Sequence, residues 1–119
     1  MIVTYKEKKL RKSVIVLLVL VTVFLSNSFS EVRAADLQAG EQIFSANCSA
    51  CHAGGNNVII PEKTLKQDIL ENNGMNSVIA ITTQVKNGNG AMPAFGGKLA
   101  DEDIDNVANY VLSQSEQGW

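Results

Sequence analysis

Hydrophobic positions fall into two regimes along the chain. From 14 to 25 every position is apolar except Thr22, a 12-residue run that follows a lysine- and arginine-rich start. Beyond residue 35 the apolar residues are spaced rather than massed. Ile104, Val107, Ala108, Val111 and Leu112 form one stripe and predict a helix over 101–115. Leu37, Gly40, Ile43, Phe44 and Cys48 predict another over about 36–50, in which Gly40 costs helix propensity but permits a close crossing. Val78, Ile81 and Val85 mark a shorter helix capped by Ser77 and stopped at Asn87-Gly88-Asn89-Gly90.

The polar stretches place the boundaries. Gly54-Gly55-Asn56-Asn57 is loop chemistry. Thr64 followed by Gln67 has the form of a capping box and predicts a short helix that ends at Asn72-Asn73-Gly74. Ala91-Met92-Pro93-Ala94-Phe95-Gly96-Gly97 is a loop, because proline forbids helix continuation and the glycines allow tight turns. Asp101, Glu102, Asp103 and Asp105 sit where carboxylates favour a helix start. No segment reads as a strand. The expected fold is all-α, about four short helices, small enough to need a staple.

Residues 1–34 have the form of a cleavable signal peptide. Lys6, Lys8, Lys9, Arg11 and Lys12 precede the apolar run, and Val32-Arg33-Ala34 offers small residues for cleavage before Ala35. The run falls short of the ~20 apolar residues a spanning helix needs, so no stable membrane insertion is expected once it is removed. The leader is expected to be helical and to pack poorly. That leaves 35–119 as one domain, without internal repeat or linker.

Charge follows from this division. Of ten Lys+Arg and twelve Asp+Glu, the leader holds six and two. Four basic and ten acidic side chains remain in 35–119, a net charge of −6. Nucleic acid calls for a basic face and is not an expected partner. Encounters steered by charge are.

Cys48-Ser49-Ala50-Cys51-His52 contains both cysteines and the single histidine of the chain. Two thiols at this spacing can each form a thioether with a haem vinyl group, and the histidine after them supplies an axial ligand to the iron. A thioredoxin-like redox pair would need a βαβ surround. A structural zinc site takes four ligands, and three adjacent Cys/His groups fall short. A Cys48–Cys51 disulfide would leave His52 without a role.

The second axial position cannot be a histidine of this chain. Met92 lies in the Pro/Gly-rich loop, 40 residues after His52, where the chain can wrap over the opposite haem face and Pro93 stiffens it. Met75, between a helix stop and a helix cap, is expected to be partly buried or on the surface. His/Met ligation suits electron transfer and raises the potential. An iron left open would instead suit a sensor or a peroxidase-like enzyme. No acid/base or nucleophile constellation is evident, so the chain is expected not to be an enzyme.

With these residues in place, the domain resembles the cytochrome c6 family of cyanobacteria and algal plastids. The marks are Gly40-Glu41-Gln42-Ile43-Phe44, Asn47 to His52, Pro61-Glu62-Lys63-Thr64-Leu65, the segment 90–97 around Met92, Val107-Ala108-Asn109-Tyr110-Val111-Leu112, and Gly118-Trp119. The resemblance covers essentially all of 35–119. It implies a class I cytochrome c fold with first and last helices crossing near Gly40, Phe44 and Tyr110. It implies one covalent haem c on Cys48 and Cys51, iron bound by His52 and Met92, and Gln84 close to the haem. Many relatives carry serine where this chain has Ala100, which leaves the helix cap open, with Asp101 able to take it over. The implied role is a monomeric one-electron carrier from the cytochrome b6-f complex to photosystem I, in the thylakoid lumen or the periplasm. Donation to a respiratory terminal oxidase is the alternative. The leader has no separate transit region, which points to a cyanobacterial or plastid-encoded protein.

Overall fold

The computed structural model describes residues 2–26 and 34–119, and the chain divides into two units, 1–33 and 34–119. The described residues of the first unit form a single helix, α1 (Ile2–Ser26), as the composition predicts. Its apolar side chains, Leu17 and Leu20 among them, are mostly exposed. Among the described residues no helix is long and apolar enough to cross a membrane. Of the expected cleavage segment, Val32 and Arg33 lie outside the described residues.

The second unit is built from α2 (Leu37–Asn47), α3 (Ser49–His52), a 3₁₀ turn over Ala53–Gly55, α4 (Gln67–Asn72), α5 (Val78–Asn87) and α6 (Asp101–Gln117). Among the described residues there is no strand, only two isolated bridges, Asn89 with Met92 and Gly96 with Leu99. The single helix expected over 36–50 is broken. Cys48, at φ −116°, closes α2 by donating its N–H to the Phe44 carbonyl at 2.8 Å. Its own carbonyl then accepts from both Cys51 and His52, which starts a new turn.

The α2–α6 crossing is the most extensive helix pairing, followed by α5 on α6. It forms where the resemblance implies, at Gly40, Phe44 and Tyr110. A methyl group at Gly40 would overlap the Asn106 carbonyl and the Tyr110 side chain, so glycine lets the two backbones meet. The buried Asn106 accepts from the Asp36 amide at 2.9 Å through its side-chain oxygen, tying the start of α2 to α6. Phe44, Leu70, Ile81, Val85, Ile104, Val107, Ala108 and Val111 form the core.

Caps agree with expectation in part. Ser77 accepts from the Ala80 amide and starts α5. Asp36 caps α2, accepting from Gln38 and Ala39. The expected capping box at Thr64 does not form. Thr64 Oγ1 accepts from the Lys66 amide at 3.4 Å in a local turn, the helix begins two residues later, and Gln67 bonds forward to Glu71 instead. Asp101 does not replace the missing serine either. Ala100 holds the cap position without a side-chain bond, and the Asp101 carboxylate pairs with Lys86 at 2.8 Å.

Candidate functional site

Cys48, Cys51 and His52 share one turn because α2 breaks at Cys48 and restarts at Ser49. Cys48 packs against the core, and burial pushes its thiol up to about 11. Both cysteines are free thiols in the structure. Among the described residues no three His, Cys, Asp or Glu side chains gather around a point where a bare metal ion would sit.

His52 carries the decisive geometry. Its Nδ1 lies 2.9 Å from the Asn56 carbonyl oxygen. A carbonyl only accepts, so Nδ1 carries a proton, and in the neutral imidazole the lone pair is then on Nε2. This is the arrangement of a metal-binding imidazole whose second nitrogen is held by the protein. The 3₁₀ turn makes it possible, since Gly54 and Gly55 take φ of 61° and 73° and fold Asn56 back over the ring. The donor set of two thiols and an oriented imidazole fits a covalently held haem.

The loop from 88 to 100 presents Met92. Asn89 and Met92 exchange both backbone hydrogen bonds, each 3.0 Å, in a tight turn. Gly88 sits so close to the backbone of Met92, Pro93 and Ala94 that a side chain there would collide, and its φ of 67° favours glycine besides. The loop is stitched to the end of α5 by Phe95 N–H to Val85 at 2.9 Å and Gly96 N–H to Lys86 at 3.1 Å. Met92 is half-buried against the same core as Cys48. Gln84, one helical turn before the end of α5, donates its amide to the Met92 sulfur at 3.6 Å.

The structure therefore brings Gln84 to Met92 and gathers Cys48, Cys51 and His52 on one turn. Met75, within the α4–α5 connection, packs against the core, in keeping with a structural role. Sequence reasoning missed Asn56, because any residue can offer a backbone carbonyl and the side chain gives no signal. It also gave no part to Trp119 beyond membership of the tail, although its indole N–H bonds the Leu65 carbonyl at 2.8 Å.

The loop just after the motif is ordered and apolar. Asn57 Oδ1 accepts from the amides of Ile59 and Ile60, and its amide donates to the Lys63 carbonyl. Val58 is tied to the Cys51 carbonyl at 3.1 Å. Val58, Ile59 and Ile60 are nonetheless exposed, at 63%, 58% and 39%.

Comparison with known proteins agrees with this geometry. Residues 35–111 match the family model described as cytochrome C oxidase, cbb3-type, subunit III. The chain is 71% identical over 94 residues to cytochrome c6 of Gracilaria tenuistipitata var. liui, covering 79% of this chain and 87% of that one. It is 75% identical over 85 residues to cytochrome c6 of Bumilleriopsis filiformis, covering 71% and 99%. Among solved structures, cytochrome c6 from the diatom Phaeodactylum tricornutum superposes with a TM-score of 0.69 at 57% identity, covering 71% of this chain and all of that one. Helices crossing at Gly40, a Cys-x-x-Cys-His turn with its imidazole oriented, and a methionine loop all coincide with these likenesses, and the chain belongs to the cytochrome c6 family.

Proposed function

We propose that residues 35–119 carry single electrons from the cytochrome b6-f complex to photosystem I. Cys48 and Cys51 would hold the haem by thioether bonds, and His52 Nε2 and Met92 Sδ would be its axial ligands. The observation that carries this reading is the bond from His52 Nδ1 to the Asn56 carbonyl, which presents Nε2 as a free donor beside both thiols. When bound, the haem supplies a one-electron couple, ferrous to ferric.

The chain's own residues do the rest. Asn56 holds the imidazole in one tautomer and one orientation, so the ligand needs no rearrangement when the charge changes. The Asn89–Met92 turn and its stitches to Val85 and Lys86 hold the thioether in the same way. Gln84 directs the positive end of its amide dipole at the sulfur, which opposes an added positive charge and favours the reduced state. Val58, Ile59 and Ile60 give a small apolar surface tied to the Cys51 carbonyl, suited to brief contact with a membrane complex. Redox encounters of this kind sit at the low end of interface size. The acid excess of the domain acts on encounter rate more than on affinity.

Residues 1–34 are proposed to be an export leader removed before Ala35, delivering a monomer to the thylakoid lumen. The test is a redox-titrated visible spectrum of the haem-loaded protein, followed by rapid-mixing rates with purified photosystem I and with a terminal oxidase. A sulfur-to-iron charge-transfer band and faster photosystem I reduction are expected. Ready carbon monoxide binding by the reduced protein would overturn His/Met ligation, and faster reaction with the oxidase would overturn the assigned partner.

A further inference from the structure

We infer that Trp119 is a positioning residue for His52, acting through a relay of backbone hydrogen bonds that ends on the imidazole. This rests on the reading of His52 as an axial ligand and goes beyond it, because Trp119 lies far from His52 in sequence.

The relay has three links. Trp119 Nε1–H donates to the Leu65 carbonyl at 2.8 Å. The Leu65 amide donates to the Gly55 carbonyl at 2.7 Å. Gly55 is followed directly by Asn56, whose carbonyl takes the His52 Nδ1 proton at 2.9 Å. The indole also lies flat against Gly55, which is buried, and a methyl group there would overlap the five-membered part of the ring and its fused edge. On its other contacts the indole is anchored to the helix crossing. Its centroid is 5.3 Å from that of Phe44 on α2 and 6.3 Å from that of Tyr110 on α6, the latter nearly edge-on at 85°.

Trp119 could fill space and do nothing more. Two features argue otherwise. Asn56 bonds through its amide and its side chain to Ala53, inside the same turn, at 3.2 Å each. Those bonds fix the shape of the turn but not its place against the core. The Gly55–Leu65 bond and the indole resting on Gly55 supply that placement, and Trp119 touches both ends of that bond, Leu65 by its N–H and Gly55 by its ring. The direction of the Asn56 carbonyl sets the direction of Nδ1–H, and hence where Nε2 points.

The experiment uses haem-loaded protein in the reduced state, uniformly labelled with ¹⁵N. His52 is the single histidine, so its Nδ1–H signal is unambiguous. In Trp119→Phe an aromatic ring remains beside Gly55 and the N–H donor goes. Exchange of the His52 Nδ1 proton with solvent should accelerate about tenfold, as loss of one supporting hydrogen bond implies. The Leu65 amide should accelerate with it, while the amides of Phe44 and Val111 keep their wild-type rates. The reduction potential should rise, because a less firmly held Nδ1–H leaves the imidazole a poorer electron donor. Replacing the indole of Trp119, the single tryptophan, by benzothiophene keeps the bicyclic shape without the N–H; it should give the same pattern and carries the comparison if Trp119→Phe does not accumulate with haem. Unchanged Nδ1–H exchange, or equal acceleration at Phe44 and Val111, overturns the inference alone. A wild-type protein whose His52 Nδ1–H exchanges as freely as a solvent-exposed imidazole, with no haem-shifted ring signals, overturns both the ligand reading and the inference.

Discussion

The side-chain amide of Gln84 donates to the sulfur of Met92 at 3.6 Å, across a half-buried contact between α5 and the loop that follows it. A sulfur that accepts a hydrogen bond has less electron density to give a metal. Gln84→Val removes the donor at similar bulk. The reduction potential should fall by about 20–60 mV, the one-electron equivalent of a net hydrogen bond. Potentiometric titration reads the shift, and the low-spin spectrum should persist. An unchanged potential would remove Gln84 from the site.

Met92→Ala takes away the thioether itself. The charge-transfer band should vanish and the potential drop on the order of 0.1 V, within the span that axial ligands command. Met75→Ala should leave both unchanged and cost only stability, since Met75 lies in the connection between α4 and α5, away in sequence from the Met92 loop and its Gln84 contact. The reverse outcome would transfer the ligand role to Met75.

Gly40→Ala sets two effects against each other. Alanine gains about 1 kcal/mol of helix propensity. Its methyl group, however, meets the Asn106 carbonyl, a backbone atom that cannot swing away. Overpacking of that kind costs about 1–3 kcal/mol, so the clash should win. The thermal midpoint should fall, by several degrees if the net loss reaches about 1 kcal/mol. A rise would mean that α2 and α6 separate more easily than their packing suggests.

Tyr110 supplies a pH dependence with a definite sign. Burial, and then the Glu41 carboxylate, push its phenol above the usual value. The folded state therefore holds this proton more tightly than the unfolded chain does. The resulting stability is complete below the ordinary phenol range and is lost as pH climbs through the raised value. Alkaline unfolding should move to higher pH in Tyr110→Phe, which cannot ionise. Phenolate absorbance should show Glu41→Gln titrating earlier than the parent. Coincident titration curves would show that Glu41 has no electrostatic hold on Tyr110.

Much of the fold was legible because its helices carry their stripes openly. Ile104 through Leu112 announced α6, Ser77 announced α5, and Gly40 announced the crossing. What stayed hidden depends on backbone more than on side-chain type. The break at Cys48 leaves no mark in a run whose apolar spacing continues smoothly. Thr64 has a capping residue's chemistry, yet the local turn to Lys66 uses its hydroxyl first. The serine-to-alanine change at 100 correctly raised doubt about the α6 cap, but Asp101 had a nearer use in Lys86. At the site, the motif and Met92 were visible as residue types. The carbonyl of Asn56 was not, because every residue has one.

The stitches from Phe95 to Val85 and from Gly96 to Lys86 make the methionine loop a hasp on the end of α5. The backbone that carries the sulfur is fastened after Met92 by these two bonds and before it by the Gly88 N–H on the Gln84 carbonyl. Were Met92 bound to iron, drawing its whole loop away from the metal would mean parting these fastenings and loosening the last turn of α5, so such a movement would cost the helix as well as the ligand bond.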